Sequence, residues 1–269
     1  MDCGVDRGCL LLGGPHRRLT SAAVRTLIAV PTYFEAESIE PMLRQVRSSV
    51  PEADVMVVDD GSTDGTCETV ERLNDELGQI RLTRRQSKRG LGDAYRTAFT
   101  AAIDEGYELL VEIDADLSHD PAALPEMLSA ARAGADLVIG SRYVPGGRIE
   151  GWSRSRTRLS RWGNRYASIV LGLAINDATA GFRVYRSSII QRFGLDGIRS
   201  SGYGFQVEMT YRAIRYGARV VEIPIVFRER ASGESKMSRG IVGEAFALVT
   251  LWGMRDLFTR RRAQRMYED

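Results

Sequence analysis

Between residues 26 and 139 the chain repeats one pattern: a short apolar run, a polar loop, a segment with helical spacing, then the next apolar run. The runs cover 26–30, 54–58, 79–83, 108–113 and 136–139, all mostly apolar except the third. The segments between them, 36–49, 66–76, 92–105 and 121–133, read as helices; in the first, Ile39, Leu43 and Val46 recur at helical spacing. Runs that are apolar throughout, rather than alternately, belong to strands buried on both faces. This predicts an α/β fold, a Rossmann-like, mostly parallel sheet with helices on both faces.

Ligands of such sheets bind in the crevice beyond the strands' carboxyl ends. The polar signatures of this chain fall there: Pro31-Thr32-Tyr33 after the first run, Asp59-Asp60 after the second, Asp114-Ala115-Asp116 after the fourth and Ser141-Arg142 after the fifth. Of these, Asp114-Ala115-Asp116 says most about chemistry. Read as the continuation of a strand, it puts both carboxylates on one side. Two close carboxylates repel unless a proton or a cation lies between them. Their oxygens are hard ligands, suited to Mg²⁺ or Mn²⁺. A diphosphate would supply the oxygens the ion still needs, so the pair points to a nucleotide-activated substrate.

Several classes are excluded. There is no G-x-G-x-x-G after the first strand, Gly90-Leu91-Gly92 being an isolated match, and no phosphate loop of the kinase or ATPase type. The only histidines are His16 and His119, and no Ser/His/Asp relay is visible; His119, before Asp120-Pro121, reads as a structural loop residue. Net charge is +2, and Lys88 and Lys236 are the only lysines among 37 basic residues. The excess of arginine fits a G+C-rich coding sequence, and nothing in the charge pattern calls for a nucleic-acid partner. Cys3, Cys9 and Cys67 lack metal-ligand spacing, which implies a reduced, cytoplasmic setting without disulfides.

The second half is less regular. Arginines 154, 156, 158, 161 and 165 cluster among Ser and Thr. A short apolar helix is expected over 168–175, a helix over 206–216 opened by a turn at Gly202-Tyr203-Gly204-Phe205, and a strand over 219–227 in which Pro224 marks an edge or a bulge. Without repeats or a long linker, one catalytic domain over 26–258 is expected. Residues 1–25 read as a disordered tail and 259–269 as a basic one. No apolar stretch is long enough to span a bilayer. Residues 241–254 are mostly apolar, broken by Glu244, and arginines 255, 260–262 and 265 follow. A helix over 240–258 would suit the membrane interface.

Six motifs occur in a telling order: Val30-Pro31-Thr32-Tyr33 with Glu35 and Glu37, Val57-Val58-Asp59-Asp60-Gly61-Ser62-Thr63-Asp64-Gly65-Thr66, Lys88-Arg89-Gly90-Leu91-Gly92, Asp114-Ala115-Asp116-Leu117-Ser118-His119, Gly140-Ser141-Arg142-Tyr143 and Gly233-Glu234-Ser235-Lys236-Met237. With them the chain, from about Leu27 to Leu257, closely resembles dolichol- or polyprenol-phosphate mannose synthases, family 2 inverting glycosyltransferases of the GT-A fold. The last two motifs narrow the resemblance to the polyprenyl-phosphate branch. The Q-x-x-R-W of processive polysaccharide synthases is missing.

The resemblance implies transfer of mannose from GDP-mannose to a polyprenyl phosphate. Pro31, Tyr33, Glu35, Val58 and Asp60 would hold the guanosine. Asp114, Ala115 and Asp116 would meet the donor, with Asp114, Asp116 and Ser118 about a Mg²⁺ or Mn²⁺ ion, and Arg142, Arg230 and Lys236 would bind phosphates. Asp116, Arg142 and Arg156 are the residues expected to carry the catalysis. Phe34 departs from the family's usual Asn and is expected to pack. The resemblance also implies peripheral attachment at the cytoplasmic face of a membrane, or a separate transmembrane partner subunit. The rival readings are another donor such as UDP-glucose on the same lipid, a non-catalytic nucleotide-binding subunit and, third, a nucleotidyltransferase.

Overall fold

The computed structural model describes residues 24–229, apart from 199 and 201, together with 243 and 246–256. Most of the expected N-terminal tail, the C-terminal tail, residues 240–242, 244, 245, 257 and 258 of the segment 240–258, Arg230 and Lys236 lie outside the described residues.

Four parallel strands open the fold: β1 (Thr26–Thr32), β2 (Asp54–Asp59), β3 (Ile80–Arg84) and β4 (Leu109–Glu112), linked by α1 (Ile39–Ser49), α2 (Thr66–Leu77) and α3 (Leu91–Asp104). A 3₁₀ turn at Pro121–Ala123, capped by Asp120, leads into α4 (Leu124–Arg132) and β5 (Leu137–Ser141). The chain continues through β6 (Arg148–Glu150), α5 (Arg154–Leu171), β7 (Arg183–Arg186), α6 (Ser187–Phe193), α7 (Gly202–Arg215), β8 (Val220–Pro224) and β9 (Val226–Arg228). Seven strands form one sheet in the order β3-β2-β1-β4-β7-β5-β8, while β6 and β9 pair separately. All the pairs in the main sheet are parallel except those of β7, which runs antiparallel to both β4 and β5.

The strand alternation divides the core. Ile28, Val30, Val55, Val57 and Val111 pack with Met42, Leu43, Val70, Leu73 and Leu128 of α1, α2 and α4. Leu27, Ala29, Met56, Val58 and Leu110 point the other way, toward Tyr95 and Phe99 of α3, Ile190 of α6 and Phe205 and Met209 of α7. Burial of this kind is worth about 1.5–3 kcal/mol for each large apolar side chain.

The structure corrects the reading of the second half. β7 and α6 were not expected. The helix expected over 168–175 is the end of a much longer one. Ser153 accepts the Arg156 N–H at 3.3 Å to cap α5, and Gly172, at φ 63°, closes it in the left-handed region. Among the residues of α5, only Asn164, Ala167 and Leu171 are buried, so its apolar periodicity is faint. The strand expected over 219–227 is two strands. It leaves β5 after Pro224, where Ile225 donates to the Ser141 carbonyl at 3.0 Å, and rejoins a different sheet beside β6. The helix expected from residue 206 starts at Gly202.

Candidate active site

The loops after β1 and β2 are built as one unit. Asp59 is fully buried; its Oδ2 accepts the hydroxyls of Thr32 (2.8 Å) and Ser62 (2.6 Å), and its Oδ1 accepts the N–H groups of Gly61 and Ser62. Burial alone would raise this carboxyl, but the hydrogen bonds, Ser62's first, outweigh it and hold the group below its ordinary value. The neighbouring Cys67 thiol is pushed up to about 12, by burial and then by its hydrogen bond to Asp59 and the charge of that group.

Three bonds tie the first loop to the second: Phe34 N–H to Ser62 Oγ, Glu35 N–H to Thr66 Oγ1 and Ala36 N–H to Asp64 Oδ2, at 2.8–3.1 Å. Glu35 also accepts the Ser38 hydroxyl at 2.9 Å. Phe34 packs at the surface rather than in the core. It is 47% exposed, meets Tyr33 edge-on at 4.5 Å, and has φ 58°. Asn tolerates that left-handed geometry better than Phe.

Pro31 and Val58 are register neighbours across β1 and β2. Val58 is 1% exposed, so its side chain belongs to the core rather than to the crevice. Asp60 is also enclosed: Arg85 Nε donates to its Oδ1 at 2.5 Å, and the N–H groups of Arg89 and Gly90 reach Oδ2 at 3.3 and 3.4 Å. Arg85 bonds Asp93 of α3 as well. Lys88 places its ammonium 4.1 Å from the centre of the Tyr33 ring. Together these contacts join the loops beyond β1 and β2 to the 85–90 segment and to α3, and so wall one side of the crevice beyond the strands' ends.

Asp114-Ala115-Asp116 is not a strand. β4 ends at Glu112 and the chain turns, so the same-side argument from strand alternation does not apply. The turn itself orients the carboxylates. Asp116 Oδ1 accepts the Ser118 N–H at 3.0 Å around Leu117, which has φ 59°. Ala115 is buried in the core and Ser118 is 2% exposed. Gly181 brings β7's approach against this turn; a Cβ there would lie 3.4 Å from Asp114 Oδ2 and 3.5 Å from the His119 ring. His119 is buried between Phe182 and Phe227, and burial lowers its pKa to about 4. The imidazole is therefore neutral, and its Nδ1, 3.6 Å from Asp114 Oδ2, makes a contact rather than an ion pair. Among the described residues no group of three or more His, Cys, Asp or Glu side chains is set to hold a metal. Asp114 and Asp116 offer hard oxygens only, a donor set that suits a divalent cation sharing further oxygens with a ligand.

Phe227 leads from His119 to the arginines. Its ring lies 5.3 Å from that of Trp152, and the guanidinium of Arg142 lies 5.5 Å from the Phe227 ring. Arg142 is 5% exposed and grips the buried Asp177 through Nε (2.7 Å), Nη2 (2.6 Å) and its backbone N–H (3.0 Å), with Thr179 Oγ1 accepting a fourth bond. Burial would raise the Asp177 carboxyl, but the Arg142 charge and bonds keep it below its ordinary value. Arg156 stacks on Trp152 at 4.0 Å and donates to Glu229 Oε1 at 2.6 Å.

The segment around Asp177 is a hub. Glu222 of β8 accepts the N–H groups of Asn176 and Asp177, Asn164 of α5 exchanges bonds with Thr179, and Arg183 of β7 bonds the carbonyls of Ala178 and Ala180. Asp177, Thr179, Glu222, Trp152 and Glu229 were missed in the sequence. An Asp-x-Thr run between apolar stretches at 177–179 was the available signal.

Because β1, β2, β4 and β5 run in the same direction, the loops that follow them leave the same edge of the sheet. No nucleophile and base relay is found among the described residues.

The comparisons with known proteins follow this geometry. The glycosyl transferase family 2 model matches residues 27–194, and the chain belongs to that family and is a glycosyltransferase. It is 50% identical over 231 residues to an undecaprenyl-phosphate mannosyltransferase of Micrococcus luteus, covering 86% of this chain and 95% of that one. It is 44% identical over 243 residues to a polyprenol monophosphomannose synthase of Mycolicibacterium smegmatis, covering 88% and 90%. Among solved structures it resembles glucosyl-3-phosphoglycerate synthase of Mycobacterium tuberculosis, in complex with Mn²⁺, UDP-glucose and phosphoglyceric acid. The TM-score is 0.64 at 14% identity, covering 86% of this chain and 80% of that one. That likeness shows a GT-A-like fold. No helix among the described residues is long and apolar enough to cross a membrane.

Proposed function

We propose that this chain transfers mannose from GDP-mannose to a polyprenyl phosphate with inversion, producing a lipid-linked mannosyl donor. The observation that carries this is the near full-length likeness to two relatives named for that lipid chemistry. The site adds a physical reason. A phosphate monoester, with a second pKa near 6, is already a dianion at pH 7. It needs no strong base to attack, and the buried neutral His119 supplies none.

The residues divide the work. Pro31, Tyr33 and Glu35 frame the guanosine, with Val58 behind them. Asp60 takes part by exchanging its two long backbone bonds for donors of the nucleoside, since a carboxylate has about four acceptor positions. Asp114 and Asp116 hold a divalent ion, with Ser118 beside them. A bound Mg²⁺ or Mn²⁺ supplies charge neutralisation to the leaving diphosphate. Arg156 orients the acceptor phosphate with a planar donor fork and offsets its repulsion from the donor, while Arg142, held by Asp177, acts as a fixed donor beside it. Arg230 and Lys236 add phosphate contacts. Direct attack on an α-linked donor gives a β-linked product. The work is done at the cytoplasmic membrane face; the helical segment 246–256 packs on α5, Phe246 against Trp162 and Tyr166 and Thr250 against Tyr166.

Asp116→Ala tests the assignment. Transfer is expected to fall by about 10²-fold or more, the size seen when a group stabilising developing charge is removed, with the melting temperature unchanged. Full activity would remove the metal site from Asp116. Protection by GDP but not UDP against loss of labelled donor would fix the nucleotide; the reverse would favour UDP-glucose.

A further inference from the structure

Arg142 and Arg156 share one tryptophan, their guanidinium carbons lying 5.6 and 4.0 Å from the Trp152 ring centre. Their carboxylate partners hold them very differently. Asp177 is fully buried and receives three hydrogen bonds from Arg142. Glu229 receives one bond from Arg156, and both side chains are partly open to solvent, at 26% and 43%. A guanidinium bound in the first way cannot change partner without stranding a buried charge. One bound in the second way changes partner at small cost.

The position of Glu229 is itself prepared. Its N–H donates to the Glu150 carbonyl at 3.0 Å, which fixes the backbone. Gly151 lies opposite with φ +90°. A Cβ at residue 151 would come within 2.7 Å of the Glu229 Cβ and 3.3 Å of its Oε2. The glycine leaves the notch in which this carboxylate meets Arg156. The neighbouring Glu150 is occupied by Arg148 at 2.8 Å and Arg228 at 3.3 Å, so it does not compete for Arg156.

A carboxylate and a phosphate monoester present the same kind of charged oxygen edge to a guanidinium. We infer that Glu229 competes with the acceptor's phosphate for Arg156, so that acceptor binding exchanges one anion for the other while Arg142 stays on Asp177. The Arg142–Asp177 pair is neutral as a whole and acts as a fixed donor. The net positive charge that the dianion meets comes from Arg156 as it leaves Glu229. This deepens the proposed function, on which it rests for the identity of the phosphate.

The experiment is calorimetric titration of farnesyl phosphate and, separately, inorganic phosphate into the full chain. Wild type, Glu229→Gln, Arg156→Gln and the double variant are compared. Glu229→Gln is expected to bind farnesyl phosphate about threefold tighter, the scale of a partly exposed ion pair. The same substitution on the Arg156→Gln background is expected to change nothing. A parallel gain for inorganic phosphate also supports the exchange. Unchanged or weaker farnesyl phosphate binding by Glu229→Gln, with an unaltered melting temperature, would overturn it and make Glu229 a prop for Arg156. A gain of the same size without Arg156 would overturn it too. The readout is binding, so a failed transfer assay would refute the proposed reaction without altering this result.

Discussion

The two ends of the sheet's carboxyl edge are organised by different means. At the β1–β2 end, Asp59 and Asp64 are bonded almost entirely to hydroxyls and N–H groups of the two adjoining loops, much of it within three residues. At the β5 end, the carboxylates meet guanidinium and amide groups far away in the chain. Arg142 reaches Asp177, Asp177 reaches Glu222, and Arg156 reaches Glu229. The first arrangement needs only a loop sequence that bonds to itself. The second exists only after α5, β7 and β8 have assembled. A site built from long-range ion pairs can be retuned by single changes.

Breaking the long-range end should cost the most. Asp177→Ala leaves the Arg142 charge buried and unpaired, which is expected to lower unfolding stability by about 3 kcal/mol or more. Urea unfolding measures it, and a loss below about 1 kcal/mol, the size of an exposed pair, would show that Arg142 finds water instead.

The local end should fail more gently and with a clear pH signature. Asp59 has a folded pKa below its reference of 3.8. Its contribution is therefore fully present above that reference value and lost as pH falls through the folded pKa. Asp59→Asn is expected to cost about 2 kcal/mol at pH 7, where hydrogen bonds to a charged acceptor are lost. It should also flatten the acid limb of the melting curve below about pH 4. Equal acid sensitivity in both proteins would contradict the assignment.

The smallest effect concerns the wall of the crevice. Arg85→Lys keeps the charge but loses the fork that joins Asp60 to Asp93. The donor KM is expected to rise about threefold, as for loss of a modest hydrogen bond, with the acceptor KM unchanged. A change in the acceptor KM alone would mean that the two ends are not separable.

This same contrast explains what could be read from the chain. The alternating half was legible because each strand, loop and helix is a local pattern. Asp59, Asp60 and the acidic turn could be found at strand ends without knowing the topology. Their detailed roles were less legible. Val58 and Ala115 turn into the core, and Asp114 and Asp116 are arranged by a turn around Leu117 rather than by a strand. In the second half, α5 hides behind arginines 154, 158, 161 and 165, which are all exposed. Asp177 and Glu222 carry no local signal of partnership. Arg142 and Arg156 were recognisable as candidates, but the carboxylates that hold one by three bonds and the other by one were not.

The most direct test of the account is transfer of labelled mannose from GDP-mannose to a short polyprenyl phosphate in detergent, with Mg²⁺ or Mn²⁺ and with EDTA. The account predicts a mannosyl phosphate lipid that is cleaved by mild acid, forms only with metal, and disappears in Asp116→Ala. A lipid product formed equally well in EDTA would contradict the role of the acidic turn. Absence of product alongside transfer from UDP-glucose would contradict the donor.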